Sequence, residues 1–217
     1  MKSVLISIQP KWCELIASGK KTVEVRKTKP KLETPFKVYI YCTYGQGLIE
    51  NNDLCYPNML LDQKVSKNAI WGNCCNGKVI GEFVCDEIDR LAHCGTCNND
   101  IRLRIEKNLY YKELDFSYLN KCQLSYADID EYSKGGDVYG WHISNLVIYD
   151  KPRELSEFKT PPCERPESAC GNCKYLEVTN TPNAYEVECY RENGVHLTRP
   201  PQSWCYVESE GGSNETR

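Results

Sequence analysis

The side chains best suited to chemistry lie close together near the N-terminus, between Gly19 and Arg26. Val23 and Val25 alternate there with polar residues, which predicts a strand that buries the valines and presents the polar side chains on its other face. An acid and a base two residues apart on one strand face can orient each other. The candidate ligand-binding residues of this segment are Lys20, Lys21, Thr22, Glu24 and Arg26. A solvated strand with ordinary surface charges is the alternative interpretation.

The charge distribution also draws attention to the N-terminal segment. The 217-residue chain has a formal net charge of −3, but residues 1–37 carry nine Lys or Arg against three Glu, a net charge of +6. The remainder of the chain therefore carries −9. Phosphate attraction is local, over a Debye length of about 10 Å at moderate salt, so an acidic protein can still bind a polyanion through one basic surface. We expect an anionic partner near the N-terminal segment.

Cysteines form the second group of chemically capable residues, and the chain has 14 of them. Cys170 and Cys173 form a C-x2-C pair, and Cys189 and Cys205 follow at intervals of 15 residues. Four thiolates suit a tetrahedral zinc ion, and they leave no open position for a substrate. The predicted metal ligands are Cys170, Cys173, Cys189 and Cys205. The cofactor is expected to be structural zinc, with an iron–sulfur cluster as the alternative.

Eight of the other ten cysteines divide into two sets. Cys94 and Cys97 could form a second metal site with the adjacent pair Cys74 and Cys75, although adjacent cysteines seldom bind one zinc ion comfortably, so this possibility stays open. The remaining set lies in segments with helix or strand periodicity and is predicted to pack in the core. Its members are Cys13, Cys42, Cys85 and Cys122.

Periodicity predicts the elements that position these groups. Strands are predicted at residues 4–8, 36–43, 79–88 and 139–149. Pro10 suits the first turn of a helix that Gly19 would end, and Ser125 with Asp128 predicts a capping box for a helix ending near Gly135. Residues 98–124 fit either a helix or a strand. Several strands with few short helices predict an α+β fold built on a small mixed β-barrel with short flanking helices.

The composition changes after Asp150. Seven of the 11 prolines lie beyond this point, and regular periodicity fades. A segment this short cannot build a core of its own, so we predict a metal-stapled C-terminal module. The predicted division is a first domain at 1–155, a Cys-rich module at 156–207 and a disordered tail at 208–217. The sequence has neither a run of membrane-spanning length nor signal-peptide features, so a cytoplasmic protein without a membrane partner is expected.

The order of these residues resembles a known family. Gly19, Lys21, Glu24 and Arg26, in the pattern G-x-K-x-x-E-x-R, resemble the signature of the ASCH domain, a member of the PUA-like superfamily. The stretches at 6–12, 140–144 and 149–155 resemble the opening and close of bacterial and phage-encoded ASCH domains, and 200–205 resembles the tails of phage-type members. The resemblance implies a PUA-like β-barrel over the first 155 residues. It also implies a cleft beside the motif that binds RNA or a nucleotide-like ligand.

The resemblance suggests a role for each candidate in that cleft. Lys20, Lys21 and Arg26 would contact phosphate, while Thr22 and Glu24 would hydrogen-bond a sugar or a base edge. Four aromatic residues are candidates to stack on a base. They are Tyr44, Trp71, Tyr139 and Trp141. For Trp141, which lies inside a predicted strand, packing in the core is the favoured interpretation.

Two alternatives to simple binding remain open. Some ASCH proteins resemble hydrolases that act on RNA or deacylate acetylated cytidine, and Lys21 matches the lysine of the latter. Glu24 stands where those amidohydrolases have a nucleophilic threonine, and a carboxylate would change that chemistry. Lys21 and Glu24 are therefore the catalytic candidates of the hydrolase hypothesis. The second alternative is an adaptor whose C-terminal module binds a protein partner.

Overall fold

The computed structural model describes most of the chain, in segments separated by gaps. The described residues are 2–44, 75–93, 103–107, 110–163, 176–181, 184–189 and 194–208. The α-helices are α1 (Pro10–Ala17), α2 (Phe116–Cys122) and α3 (Tyr126–Ser133), with one 3₁₀ turn at Leu155–Glu157. The strands are β1 (Lys2–Ile8), β2 (Val23–Arg26), β3 (Phe36–Cys42), β4 (Lys78–Cys85), β5 (Ile88–His93), β6 (Leu103–Lys107), β7 (Tyr110–Glu113), β8 (Val138–His142), β9 (Ser144–Arg153), β10 (Leu176–Thr181), β11 (Ala184–Cys189) and β12 (Trp204–Glu208).

These strands form two five-stranded sheets and a separate antiparallel pair, β10–β11. The first sheet has the order β12-β1-β3-β4-β9, with β1 and β3 parallel and the other neighbours antiparallel. The second is antiparallel, in the order β2-β8-β5-β6-β7. Mixed sheets with few helices confirm the predicted α+β class. A small β-barrel was predicted, but the described strands do not close into one: they form two open sheets, and the motif strand β2 pairs with β8 in the second.

The inner strands β1 and β3 of the first sheet are buried on both faces. Its strand β1 has six consecutive buried residues, as expected for a central strand covered on each side. One face packs Val4, Ile6 and Ile8 against helix α1, and the other packs Leu5 against a cluster that contains Val207 of β12. The last described strand therefore shares a core with the first.

The second sheet has its own core. Val23 of β2 packs there with Leu91 of β5 and Val138 of β8. Helices α2 and α3 cover this face through Cys122 and Ile129, both fully buried. The motif strand is thus the edge strand of a sheet whose core face is covered by two short helices, which fixes the position of its backbone.

Several local predictions are confirmed. The first helix begins at Pro10, and Gly19 follows its end with φ of +74°, a conformation that glycine adopts without strain. The capping box of α3 is complete, since the Asp128 amide donates to Ser125 Oγ (3.1 Å) and the Ser125 amide donates to Asp128 Oδ2 (2.8 Å). The four cysteines that were predicted to be in the core are buried.

Other boundaries differ from the predictions. The strand predicted at 139–149 is two strands, β8 and β9, and Asn145 near their junction has φ of +47°. The strand predicted at 79–88 ends at Cys85, and β5 begins at Ile88. Within the ambiguous segment, residues 116–122 form a helix that Asp115 caps by accepting a hydrogen bond from the Tyr118 amide (2.9 Å).

The C-terminal part of the chain contributes to the first sheet. Strand β12 pairs with β1 over five residues, from Lys2 opposite Glu208 to Ile6 opposite Trp204. This sheet is therefore built from both sides of the division predicted at residue 155, and Glu208, where the predicted tail begins, ends β12. Among the described residues, no helix combines the length and the apolar character needed to cross a membrane.

Candidate ligand-binding cleft

The motif strand β2 is buried along its whole length. Val23 and Val25 are buried as predicted, but Glu24 and Arg26 are buried as well. The backbone just before the strand is anchored to two helices, because the Lys21 amide donates to the Leu15 carbonyl of α1 (2.8 Å) and the Thr22 amide donates to the Lys121 carbonyl of α2 (2.9 Å). The polar face of the strand therefore lies against protein and not against bulk solvent.

Lys21, Glu24 and Arg26 form a buried ionic group, here called the motif triad. Glu24 lies between the two cations: its Oε2 is 3.3 Å from Lys21 Nζ and its Oε1 is 3.0 Å from Arg26 Nη2. Only 2% of Lys21 is exposed. Buried charges are costly unless they are paired, and one carboxylate between two cations leaves one positive charge in excess.

The remaining contacts of the triad are with backbone oxygens and an aromatic ring. Lys21 Nζ donates to the Cys122 carbonyl (2.5 Å) and lies 5.1 Å from the centre of the Trp12 ring. Arg26 Nη2 donates to the Ser7 carbonyl (2.6 Å). Arg26 Nε is buried and has no hydrogen-bond partner among the described residues. A buried donor of this kind normally has a partner, so a bound group could supply one.

The motif triad lies on the floor of a cleft of about 830 Å³. Trp12 and Ser7 border it on one side and residues 124–134, which include α3, on another. Residues 200–202 of the C-terminal part line a further side, held in place because Ser7 Oγ donates to the Pro201 carbonyl (2.7 Å). Clefts of several hundred cubic ångströms commonly bind small molecules.

The lining of the cleft is mixed in charge and partly aromatic. Lys27 and Lys134 lie on its rim together with the carboxylates of Asp128 and Glu131. Tyr132 is 38% exposed, and Lys27 Nζ lies 5.0 Å from the centre of its ring. The cleft therefore combines an excess positive charge on its floor, acceptors on one wall and an accessible aromatic ring.

The structure brings together only some of the predicted ligand residues. Lys21, Glu24 and Arg26 line the cleft, whereas Lys20, Thr22 and Tyr44 are exposed and do not line it. Tyr139 and Trp141 also lie elsewhere, and Trp141 is fully buried in the first core, which confirms its packing role. Trp71 lies outside the described residues.

Sequence reasoning missed part of the lining. Trp12 and Lys27 were not among the predicted ligand residues, although Lys27 follows directly after the motif. Tyr132 and Pro201 lie more than 100 residues further along the chain. No local pattern connects them with the motif, since only the tertiary fold brings α3 and the C-terminal segment to the same cleft.

Cys122 borders the triad but is a poor nucleophile. Burial raises the pKa of its thiol to about 12; the nearby Lys21 charge lowers that pKa, and the charges of Glu24 and Asp89 raise it. A thiol with so high a pKa stays protonated at neutral pH. The chemistry of the cleft therefore rests on lysine, arginine and carboxylate groups.

Only two of the four predicted metal ligands lie in the described part of the chain. Cys170, Cys173, Cys74, Cys94 and Cys97 lie outside the described residues, and Cys189 is the last residue of β11. Cys205 lies in β12 and packs beside the cluster that contains Leu5 and Val207. Burial raises the pKa of the Cys205 thiol to about 11. The four-cysteine site stays a prediction.

Comparison with solved structures finds the ASCH protein of Zymomonas mobilis. Its crystal structure is 18% identical to this chain with a TM-score of 0.41, covering 70% of this chain and 73% of the other. A serine-to-alanine mutant of the same protein gives 19% identity, a TM-score of 0.41 and coverage of 70% and 74%. A tyrosine-to-phenylalanine mutant gives 17% identity and a TM-score of 0.39, covering 71% of this chain and 77% of the other.

At the level of sequence, the similarity to a known family lies in the segment that contains the motif. None of the curated proteins matches the chain. The family profile of the ASCH domain matches residues 6–41, a range that includes all three members of the motif triad. The matched segment comprises the end of β1, then α1, β2 and most of β3.

Proposed function

We propose that this protein binds RNA or a nucleotide-like ligand in the cleft above the motif triad. The observation that carries the proposal is the excess positive charge of Lys21, Glu24 and Arg26, buried on the floor of an open cleft. An anionic or strongly electronegative ligand would compensate that charge. The ASCH match supports the proposal, because ASCH domains belong to the PUA-like fold family, which is linked to RNA binding.

The walls favour a single-stranded ligand with an accessible base. Tyr132 offers a face on which a base can stack, and the carboxylates of Asp128 and Glu131 can accept hydrogen bonds from base amino groups. The same carboxylates would repel closely spaced phosphates. Bases in a duplex are stacked and paired, so an unpaired nucleotide fits such a cleft better.

The test compares two exposed lysines by their effect on RNA affinity. Lys27 lies on the rim of the cleft, whereas Lys151 is exposed in β9 and does not line it. We expect Lys27→Ala to weaken binding of a short single-stranded RNA and to reduce the slope of log K against log salt by about 0.7, the value for one phosphate contact on a single strand. Fluorescence anisotropy over a salt series provides the measurement.

Lys151→Ala is the matched control for a general loss of positive charge. The proposal predicts that its affinity and salt slope equal those of the wild-type protein. An equal loss of RNA affinity in both variants would contradict binding at the cleft. So would a Lys27→Ala variant that binds RNA with wild-type affinity.

A hydrolase acting on RNA or a modified nucleoside is the second candidate. It is favoured by one observation: Lys21 and Glu24, side chains of the kinds that act as general acid and base, lie side by side on the cleft floor, with Lys21 Nζ 3.3 Å from Glu24 Oε2. Mass spectrometry of RNA and nucleoside pools separates the candidates. Substrate loss with wild type but not with a folded Lys21→Ala variant supports hydrolysis, whereas unchanged pools with RNA retained support binding.

A further inference from the structure

A second cluster of ligating side chains lies outside the lining of the cleft. It consists of Glu87, Asp89 and His142, whose potential ligand atoms all lie within 4.8 Å of one another. His142 Nε2 is 2.7 Å from Asp89 Oδ2 and 4.0 Å from Glu87 Oε2. One imidazole and two carboxylates are a donor set that divalent transition metals accept.

Sheet pairing fixes this cluster in place. Strands β5 and β8 pair with Asp89 opposite Gly140, and the His142 amide donates to the Glu87 carbonyl (3.0 Å). His142 also lies opposite Val23 of the motif strand. Two of the three side chains therefore stand on paired strands and the third immediately precedes β5, a rigid support that favours a defined ligand geometry.

The three side chains of the cluster differ in their exposure to solvent. The Asp89 side chain is 2% exposed, that of His142 21% and that of Glu87 49%. The exposed Glu87 side chain leaves a path from solvent, so an ion can reach the two inner groups.

Tyr118 provides a separate observation that points to a bound group. Its hydroxyl is buried beside the Asp89 carboxylate, close enough to interact with it, and no described residue accepts a hydrogen bond of ordinary geometry from it. The Tyr118 ring lies 6.3 Å from that of His142. Burial and then the nearby Asp89 charge raise the pKa of this hydroxyl. A buried hydroxyl beside the cluster is placed to donate to a metal-bound water or to a ligating carboxylate.

Gly140 allows this approach. A Cβ atom at Gly140 would lie 2.1 Å from the Tyr118 hydroxyl oxygen, so any larger residue would displace the tyrosine. The strand that carries His142 thus lacks a side chain at the position where the hydroxyl comes nearest. This local fit brings the hydroxyl against the strand beside the three ligands.

We propose that Glu87, Asp89 and His142 bind one divalent transition-metal ion. Such ions lie about 2.0–2.2 Å from nitrogen and oxygen ligands, which places neighbouring ligand atoms about 3 Å apart. His142 and Asp89 already have nearly this spacing, and a rotation of the half-exposed Glu87 side chain completes it. Imidazole favours a transition metal over Mg²⁺ or Ca²⁺. This site is distinct from the predicted cysteine set.

The test must separate this site from the cysteines. Mn²⁺ is the probe, because it prefers oxygen and imidazole ligands to thiolates. The experiment uses the full chain. Its readout is the total metal bound per chain, which is the metal retained on purification plus the Mn²⁺ bound on titration. We expect the total for wild type to exceed that for Glu87→Gln at sub-saturating Mn²⁺, with the Kd for Mn²⁺ raised at least about tenfold in the variant.

Two further variants make the result decisive. Asp150→Asn removes an exposed carboxylate outside the cluster and should bind metal like wild type. His142→Ala should lose the site altogether, while its circular dichroism spectrum reports whether the fold is kept. Equal metal totals and equal Kd values in wild type and in Glu87→Gln, which changes only a half-exposed side chain, would overturn the proposal.

Discussion

At the scale of single residues, the burial of the motif triad separates it from ordinary surface charges. The sequence predicted Glu24 and Arg26 on one strand face and named Lys21, just before the strand, as a further ligand candidate; the structure brings the three together with Glu24 between the cations. Their burial was not predictable from the strand pattern. It depends on Trp12 and Ser7, which pack over the strand from other elements.

A different carboxylate gives a pH prediction. Glu82 accepts hydrogen bonds from Lys37 Nζ (2.7 Å) and the Tyr149 hydroxyl (2.7 Å). Burial raises the pKa of Glu82, but these two donors and the nearby cations outweigh it, and the pKa is lowered from 4.5. The carboxylate therefore stabilises the fold above about pH 4.5, and this contribution is lost as the pH falls through the lower folded-state pKa.

The measurement for Glu82 is urea unfolding of wild type and Glu82→Gln over a pH series. The stability difference should be constant near neutral pH and should shrink on acidification below pH 4.5. Tyr149→Phe keeps the carboxylate and removes one donor. Its stability difference from wild type should be smaller than that of Glu82→Gln and should also shrink on acidification. A difference that grows on acidification would refute this assignment.

At the scale of elements, the helix starts and caps were predictable because their signals are local. Pro10, Gly19 and the pair Ser125 and Asp128 act through neighbouring backbone groups. The strand ends were less predictable, because apolar alternation continues from β8 into β9 while the backbone turns at Asn145. Periodicity reports which side chains are buried, and it does not report where hydrogen-bond pairing changes from one sheet to the other.

Strand β12 gives a prediction at this scale. Val207 is fully buried in the first sheet, so Val207→Ala should lower the free energy of unfolding by about 2 kcal/mol through lost burial and the cavity left behind. Val195→Ala, at an exposed valine of the same C-terminal part, is the control and should have little effect. Chemical unfolding followed by tryptophan fluorescence measures both.

The alternative is a C-terminal module that unfolds independently. In that case Val207→Ala would leave the main transition unchanged and would alter only a separate, smaller one. A single shifted transition would show that β12 and the N-terminal strand unfold together.

At the scale of the whole molecule, the cleft is assembled from distant parts of the chain. Its floor comes from β2, one wall from α3 and another from residues 200–202. The sequence identified the ASCH-like segment and the charged floor because both lie within residues 6–41. The walls and the two-sheet arrangement depend on long-range pairing, such as β1 with β12, which a single sequence does not encode in any local pattern.

The most direct test of the central claim is a map of where a base contacts the protein. Single-stranded RNA containing 4-thiouridine, crosslinked by near-ultraviolet light and analysed by peptide mass spectrometry, provides that map. Binding in the cleft predicts crosslinks at Trp12 or Tyr132, the aromatic residues of its lining. Crosslinks at Tyr44, which is 75% exposed and does not line the cleft, with none at Trp12 or Tyr132, would contradict the account.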